Sequence, residues 1–232
     1  REQEIIKSRQ FLLGAVHQSQ NWIFEVDVYY KEVDNITTNG TVVPGLNVPS
    51  RLLGSIRARG MDFLVKRRIK AFDIWANYTL SKTDMNFPRL KTEDFPANYD
   101  QRHIVNISGS YQKNRFRGSV GWIWSSGVPN YLDDPFFPAT GPKVEELPEP
   151  GAVGEVERFG SIHQLDASVA YHFFTKDKKA KITVGLSFLN IYDNENLLET
   201  VNVRNGQGSD GFTPANRYTI GFAPDFMLKV EW

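Results

Sequence analysis

The stretch WIFEVDVYY, residues 22–30, puts Trp22, Phe24, Val26, Val28 and Tyr30 in one parity and Glu25, Asp27 and Tyr29 in the other. Side chains of a β-strand point alternately to its two faces, so these residues read as a strand with a continuous apolar face backed by a polar one. The same period of two recurs further along the chain. Phe72, Ile74, Ala76, Tyr78 and Leu80 stand opposite Asp73, Trp75, Asn77, Thr79 and Ser81, and Leu165, Ala167, Val169, Tyr171 and Phe173 opposite Asp166, Ser168 and His172. Ile182, Val184, Leu186 and Phe188 oppose Lys181, Thr183, Gly185 and Ser187, while Phe116, Val120, Trp122 and Trp124 share a face with Gly118. Nine such segments are expected in all, of which the first, around residues 2–17, alternates weakly. The last keeps Tyr218, Ile220, Phe222, Phe226, Leu228, Val230 and Trp232 in one parity. It predicts one long strand with a local bulge at Pro224, a residue that cannot donate to a ladder.

The connections alternate between short and long. Residues 18–21, 69–70, 113–114 and 175–179 form short ones, and residues 34–51, 85–100, 127–160 and 192–215 form long ones. Consecutive strands of an up-and-down sheet run in opposite directions, so every tight turn falls on one rim and every long loop on the other. Outer-membrane barrels show that asymmetry, with short periplasmic turns and long extracellular loops. Segments of about 10 to 16 residues suit a tilted crossing of the hydrocarbon layer better than the five or six residues of an ordinary strand. Aromatics gather near the segment ends, at Trp22, Tyr30, Trp122, Trp124, Tyr218 and Trp232, where interfacial girdles lie. A soluble β-sandwich binding module also alternates, but it packs its inner faces together, and the second parity here is too polar for that. The fold class is therefore all-β, an antiparallel transmembrane β-barrel in a bacterial outer membrane.

Composition agrees. Lys plus Arg equals Asp plus Glu at 27 each, which removes the basic signature of a nucleic-acid partner. Zero cysteines exclude a disulfide framework and thiolate metal sites. No apolar run reaches 18 residues, so no helical span is expected, whereas a barrel strand shows lipid only alternate residues and keeps the average hydropathy low. The polar start at Arg1, Glu2, Gln3 and Glu4 carries no signal-peptide core and reads as a fragment or processed piece.

Six motifs occur in one order: RARGMDFLVKRR (residues 57–68), WANYTLSKT (75–83), FPANYDQRHIVNISGSY (95–111), SSGVPNY (125–131), HQLDASVAYHF (163–173) and LSFLNIYDNEN (186–196). As a series they resemble the barrel half of TonB-dependent outer-membrane receptors, closest to the Bacteroidota type. That resemblance implies the last nine or so strands of a 22-stranded barrel with a plugged lumen. It also implies that the plug domain and the N-terminal strands lie outside residues 1–232. Such receptors are importers, not enzymes. The implied partners are the lipid bilayer, the remaining strands and plug, the TonB complex, the barrel-assembly machinery and, in one variant, a surface lipoprotein lid. The implied cargo is a scarce nutrient, iron chelates or siderophores first, with an oligosaccharide or peptide importer or a passive pore as the alternatives.

The residues themselves offer little catalytic chemistry. Asp100, Gln101, Arg102 and His103 place a carboxylate near an imidazole, yet no nucleophile or second base accompanies them, so the run reads as a loop-to-strand junction. His17, His103, His163 and His172 form no i, i+4 pair, and neither a metal site nor a cofactor is expected. His163 and His172 are candidate lumen contacts. The connection at residues 127–160 is 34 residues long and is the candidate recognition loop, since rigid scaffolds present binding residues on loops. Its Tyr131, Phe136 and Phe137 can stack on a ligand or pack the loop, and with Asp133 and Asp134 it holds seven acidic residues against two basic ones. Basic residues cluster at the short turns, among them Lys66, Arg67, Arg68, Lys113, Arg115, Lys176 and Lys179, as a snorkelling rim. Trp232 is the candidate assembly signal, a terminal aromatic of the last strand.

Overall fold

The computed structural model describes residues 5–38, 52–88, 91–131, 156–177, 179–204 and 212–232. These form twelve strands and, among the described residues, no helix. Among the described residues no helix is long and apolar enough to cross a membrane, which has no bearing on crossing by strands.

The strands are β1 (Lys7–Gln18), β2 (Trp22–Thr38), β3 (Leu52–Ile69), β4 (Phe72–Asn86), β5 (Phe95–Pro96) and β6 (His103–Lys113). They continue with β7 (Phe116–Ser125), β8 (Ile162–Phe174), β9 (Lys181–Leu189), β10 (Leu197–Arg204), β11 (Phe212–Tyr218) and β12 (Ala223–Glu231). Nine of them pair antiparallel in the order β1-β2-β3-β4-β6-β7-β8-β9-β12, with β5 alongside β4, and β10 and β11 form a separate hairpin. The weakly alternating first segment is a full strand, paired with β2 along its whole length.

Register shows why this sequence makes such a sheet. Arg68, Asp73, Ser110, Ser119, Ser168, Ser187 and Asp225 are successive cross-strand partners, a polar row over seven strands. One residue away, Phe72, Tyr111, Gly118, Val169, Leu186 and Phe226 form the adjoining row on the other face. A slip of one residue would exchange the two faces in that strand, so the pattern fixes the pairing. On β2 the polar parity, Glu25, Asp27 and Tyr29, is half-buried although among the described residues no second layer covers it, whereas Phe24, Val26 and Val28 on the other face are exposed. A sheet curved towards its polar side produces that difference. Burial settles the contest with a sandwich. Among the described residues the buried hydrophobics are Leu52, Phe87, Phe95 and Ala97, all near the long-loop rim, and a soluble domain of this size would bury far more.

The short turns match expectation. Residues 70–71 and 114–115 turn with positive φ at Lys70 and Asn114, and Ser19 N donates to Trp22 O in the first turn. The first long connection is shorter than expected, residues 39–51 in place of 34–51, because β2 runs on to Thr38 through an irregularity at Asn35 (φ 60°).

The last expected strand is corrected. Tyr218 ends β11, residues 219–222 leave the ladder, and only Ala223–Glu231 pairs with β9. Other groups satisfy the intervening backbone. Asn190 Nδ2 donates to Ile220 O (3.0 Å), Thr219 N donates to Asn196 O (2.9 Å) and Phe222 N donates to Asp193 Oδ1 (2.7 Å). Parity survives the break, but continuity does not.

Candidate functional site

The long connections leave a small folded rim at their end of the sheet. Ile36, Leu52, Met85, Phe87, Phe95 and Tyr131 pack together there, drawn from β2, β3, β4 and the two connections that follow β4 and β7. Phe95 is held because β5 pairs with the end of β4, Met85 opposite Phe95 and Asp84 opposite Pro96. The Tyr131 ring meets Phe95 edge-on at 6.4 Å, and its hydroxyl donates to Pro96 O at 2.5 Å. The buried Lys91 ammonium lies 5.8 Å from the Phe95 ring and 5.9 Å from that of Tyr131.

Beside this cluster lies the run Asp100 to His103, the expected loop-to-strand junction. Asp100 is 1% exposed. Its Oδ1 accepts from Thr83 N at 2.6 Å, and its Oδ2 accepts from Arg102 Nε at 2.7 Å and Arg158 Nη2 at 2.5 Å. Arg158 Nη1 donates to the carbonyls of Asp100 (2.7 Å) and Gly127 (3.0 Å). Ser126 Oγ accepts from Arg102 N and His103 N, so the start of β6 is capped by the residue that follows β7. Such an arrangement cannot do acid–base chemistry on a ligand, because the carboxylate is sealed behind two guanidinium groups; it can hold three stretches of chain together. The junction reading of Asp100 was legible from sequence. Arg158, 58 residues away, was not, since nothing in its local pattern marks it.

A second polar knot sits at the same rim. Asn190 and Asn196 are buried, Asp166 Oδ1 accepts from Asn190 N at 2.8 Å, and Asn190 Nδ2 donates to Asn194 O at 2.9 Å. Asn190 and Asp193 take positive φ, a conformation that Asn and Asp tolerate better than other side chains. The NIYDNEN residues of the ordered motifs thus build a turn that satisfies its neighbours' backbone.

The expected site residues separate. Tyr131 belongs to the rim cluster. Asp133, Asp134, Phe136 and Phe137 lie outside the described residues. The lumen placement of His163 is corrected: the outward row runs Val26, Phe63, Tyr78, Val105, Trp124 and then His163, and the imidazole packs against Tyr192 at 5.6 Å. His172 has the polar parity. It lines a concavity of about 340 Å³ with Gln112, Arg117, Lys181, Lys229 and Glu231, at the short-turn end of the sheet. Nine residues of strand keep the two histidines roughly 30 Å apart. Trp232 follows β12 on the outward parity and is 96% exposed. Among the described residues no group of His, Cys, Asp or Glu could hold a metal ion.

A curved nine-strand antiparallel sheet, apolar outside, polar inside and looped at one rim, defines a portion of an outer-membrane β-barrel. The family model "TonB dependent receptor-like, beta-barrel" matches residues 6–224, and the chain belongs to that family. TonB-dependent receptors are transporters, not enzymes. Solved structures agree in fold. The chain superposes on the ferric citrate transporter FecA with a TM-score of 0.65 at 13% identity, covering 96% of this chain and 31% of that one. The FrpB iron transporter from Neisseria meningitidis gives 0.61 at 12% identity, with 97% and 30% covered. The copper transporter OprC gives 0.62 at 12% identity, with 99% and 31% covered. The chain thus spans about a third of the length of these relatives, and no curated protein matches it.

Proposed function

We propose that this chain is the C-terminal portion of a TonB-dependent active importer that brings a scarce nutrient, an iron chelate, across the outer membrane. The family match over residues 6–224 carries the reading. FecA, FrpB and the ferric yersiniabactin receptor FyuA from Yersinia pestis, all named for iron or its chelates, support the cargo class, and the motif order supports a Bacteroidota-type member. Two sheet edges, β1 and β12, have one neighbour each, so further strands and a plug complete the barrel, and TonB contact belongs to that remainder. Cargo meets the long-loop rim first, with Tyr131, Asp133, Asp134, Phe136 and Phe137 of the 127–160 connection as its proposed contacts, while His172 contributes to the inner wall. Trp232 serves the barrel-assembly machinery.

The test is uptake of iron-labelled ferric citrate and of a ferric tris-catecholate by cells carrying the intact receptor, with and without a protonophore. Accumulation of at least one chelate that collapses with the proton gradient is expected. Entry unaffected by the protonophore would indicate a passive pore. Competition by oligosaccharides or peptides but by no iron chelate would replace the cargo class and bring in a surface lipoprotein lid.

A further inference from the structure

The stem of the longest connection is thin. The β7–β8 ladder ends at Ser125 opposite Ile162, and beyond it, among the described residues, the backbones of the outgoing and returning arms meet at Phe159 N to Val128 O (2.9 Å), Asn130 N to Glu157 O (2.8 Å) and the bridge of Pro129 with Arg158. Pro129 has no N–H to give. The arms nevertheless run in close contact, since a methyl group at Gly127 would overlap the Phe159 carbonyl. Something other than the ladder fixes them.

We infer that Asp100 is a positioning residue for the recognition loop, latching both arms of its stem to the barrel rim through Arg158. One guanidinium joins three places: the Asp100 carboxylate, the Asp100 carbonyl, and the Gly127 carbonyl on the opposite arm. The carboxylate is in turn fixed to β4 by Thr83 N and to the start of β6 by Arg102. A buried carboxylate is tolerated only with its partners in place, so the latch closes as a unit. The burial of Asp100 within this chain alone is a lower bound, because further strands or a plug can only add cover. The same short segment grips the outgoing arm a second time, where Pro96 O accepts from the Tyr131 hydroxyl. FPANYDQ is thereby a clip with two jaws, Pro96 on Tyr131 and Asp100 on Arg158. That the loop so positioned touches cargo rests on the proposed function; the latch itself does not.

Asp100→Asn keeps size while removing charge, Arg158→Gln removes the guanidinium, and the pair of them makes a double-mutant cycle in the intact receptor. Amide hydrogen exchange at Asn130 and Phe159 reads the stem, and Gly121 and Ser168 read the ladder. Each single variant is expected to lower stem protection about tenfold or more while leaving the ladder unchanged, and the double variant is expected to lose little beyond Asp100→Asn alone. Unchanged stem protection, additive losses, or equal loosening of the ladder would overturn the latch. Uptake of ferric citrate and the ferric tris-catecholate separates the two claims. A loosened stem with weakened uptake supports both, and a loosened stem with unaltered uptake leaves the latch standing but removes the loop from cargo recognition.

Discussion

Val184 and Thr183 are neighbours with opposite duties. Val184 sits between Tyr171 and Leu228 in an outward apolar row, and Thr183 sits between His172 and Lys229 on the polar wall. Val184→Arg is expected to destabilise the barrel by about 2 to 4 kcal/mol at midplane depth, less if the site lies near an interface, whereas Thr183→Arg is tolerated. Unfolding in lipid vesicles measures both, and equal effects would contradict the assignment of faces. Asp177, in the short turn after β8, shows a different residue-scale effect. A hydrogen bond from the Thr175 hydroxyl (2.6 Å), assisted by Lys179 N (3.3 Å), holds its carboxyl below the usual carboxylate range. A carboxylate whose pKa is lowered on folding stabilises the turn above the ordinary value and loses that contribution as the pH falls through the lowered one. Thr175→Val is therefore expected to move the Asp177 titration upward, as followed by its side-chain NMR shift against pH. No change on that substitution would show that the hydroxyl is not the cause.

At the scale of elements, the turn at Asn190 decides where β11 ends and β12 begins. Asn190→Ala removes donors to the carbonyls of Asn194 and Ile220 and an acceptor for Asn194 N, and it empties the buried site of the Asn190 side chain. The expected loss is about 1 to 3 kcal/mol in denaturant unfolding, with faster amide exchange at Phe222 than at Leu228. Uniform exchange along residues 219–230 would contradict the turn's role. This is also where sequence reading stopped being sufficient. Alternation is local, so it located the strands of the large sheet, down to the weak first segment, whose partner β2 alternates strongly. The interruption at residues 219–222 has no local sign, because the side chains that satisfy that backbone lie some 30 residues earlier. His163 shows the complementary lesson. Its parity with Leu165 was readable and pointed outward, while its polarity suggested the lumen; the register followed the parity. The Asp100 hub was half legible, a carboxylate and an arginine two residues apart, and its decisive partner Arg158 required the fold.

The molecule as a whole is a wall without closure. β1 and β12 are its two edges, and large apolar residues on them are open, Leu13 at 76% and Leu228 at 61% exposure. Hydrocarbon offers no partner for a strand edge, so the proposed barrel needs a neighbour for each of them. The two rims differ in kind: cationic tight turns at one, two buried polar knots and an aromatic cluster at the other. In the proposed importer that polarity orients the barrel, with the structured rim on the side where cargo would arrive. Everything depends on the sheet having one lipid-facing and one lumen-facing side. Single cysteines at positions 182 to 188, introduced into a chain that itself has none, can be spin-labelled in the assembled receptor with any cysteine of its remainder replaced, and their accessibility to lipid-soluble oxygen compared with that to a water-soluble nickel chelate. Oxygen accessibility high at 182, 184, 186 and 188 and low at 183, 185 and 187 is the expected result; a flat, inverted or 3.6-residue pattern would contradict the account.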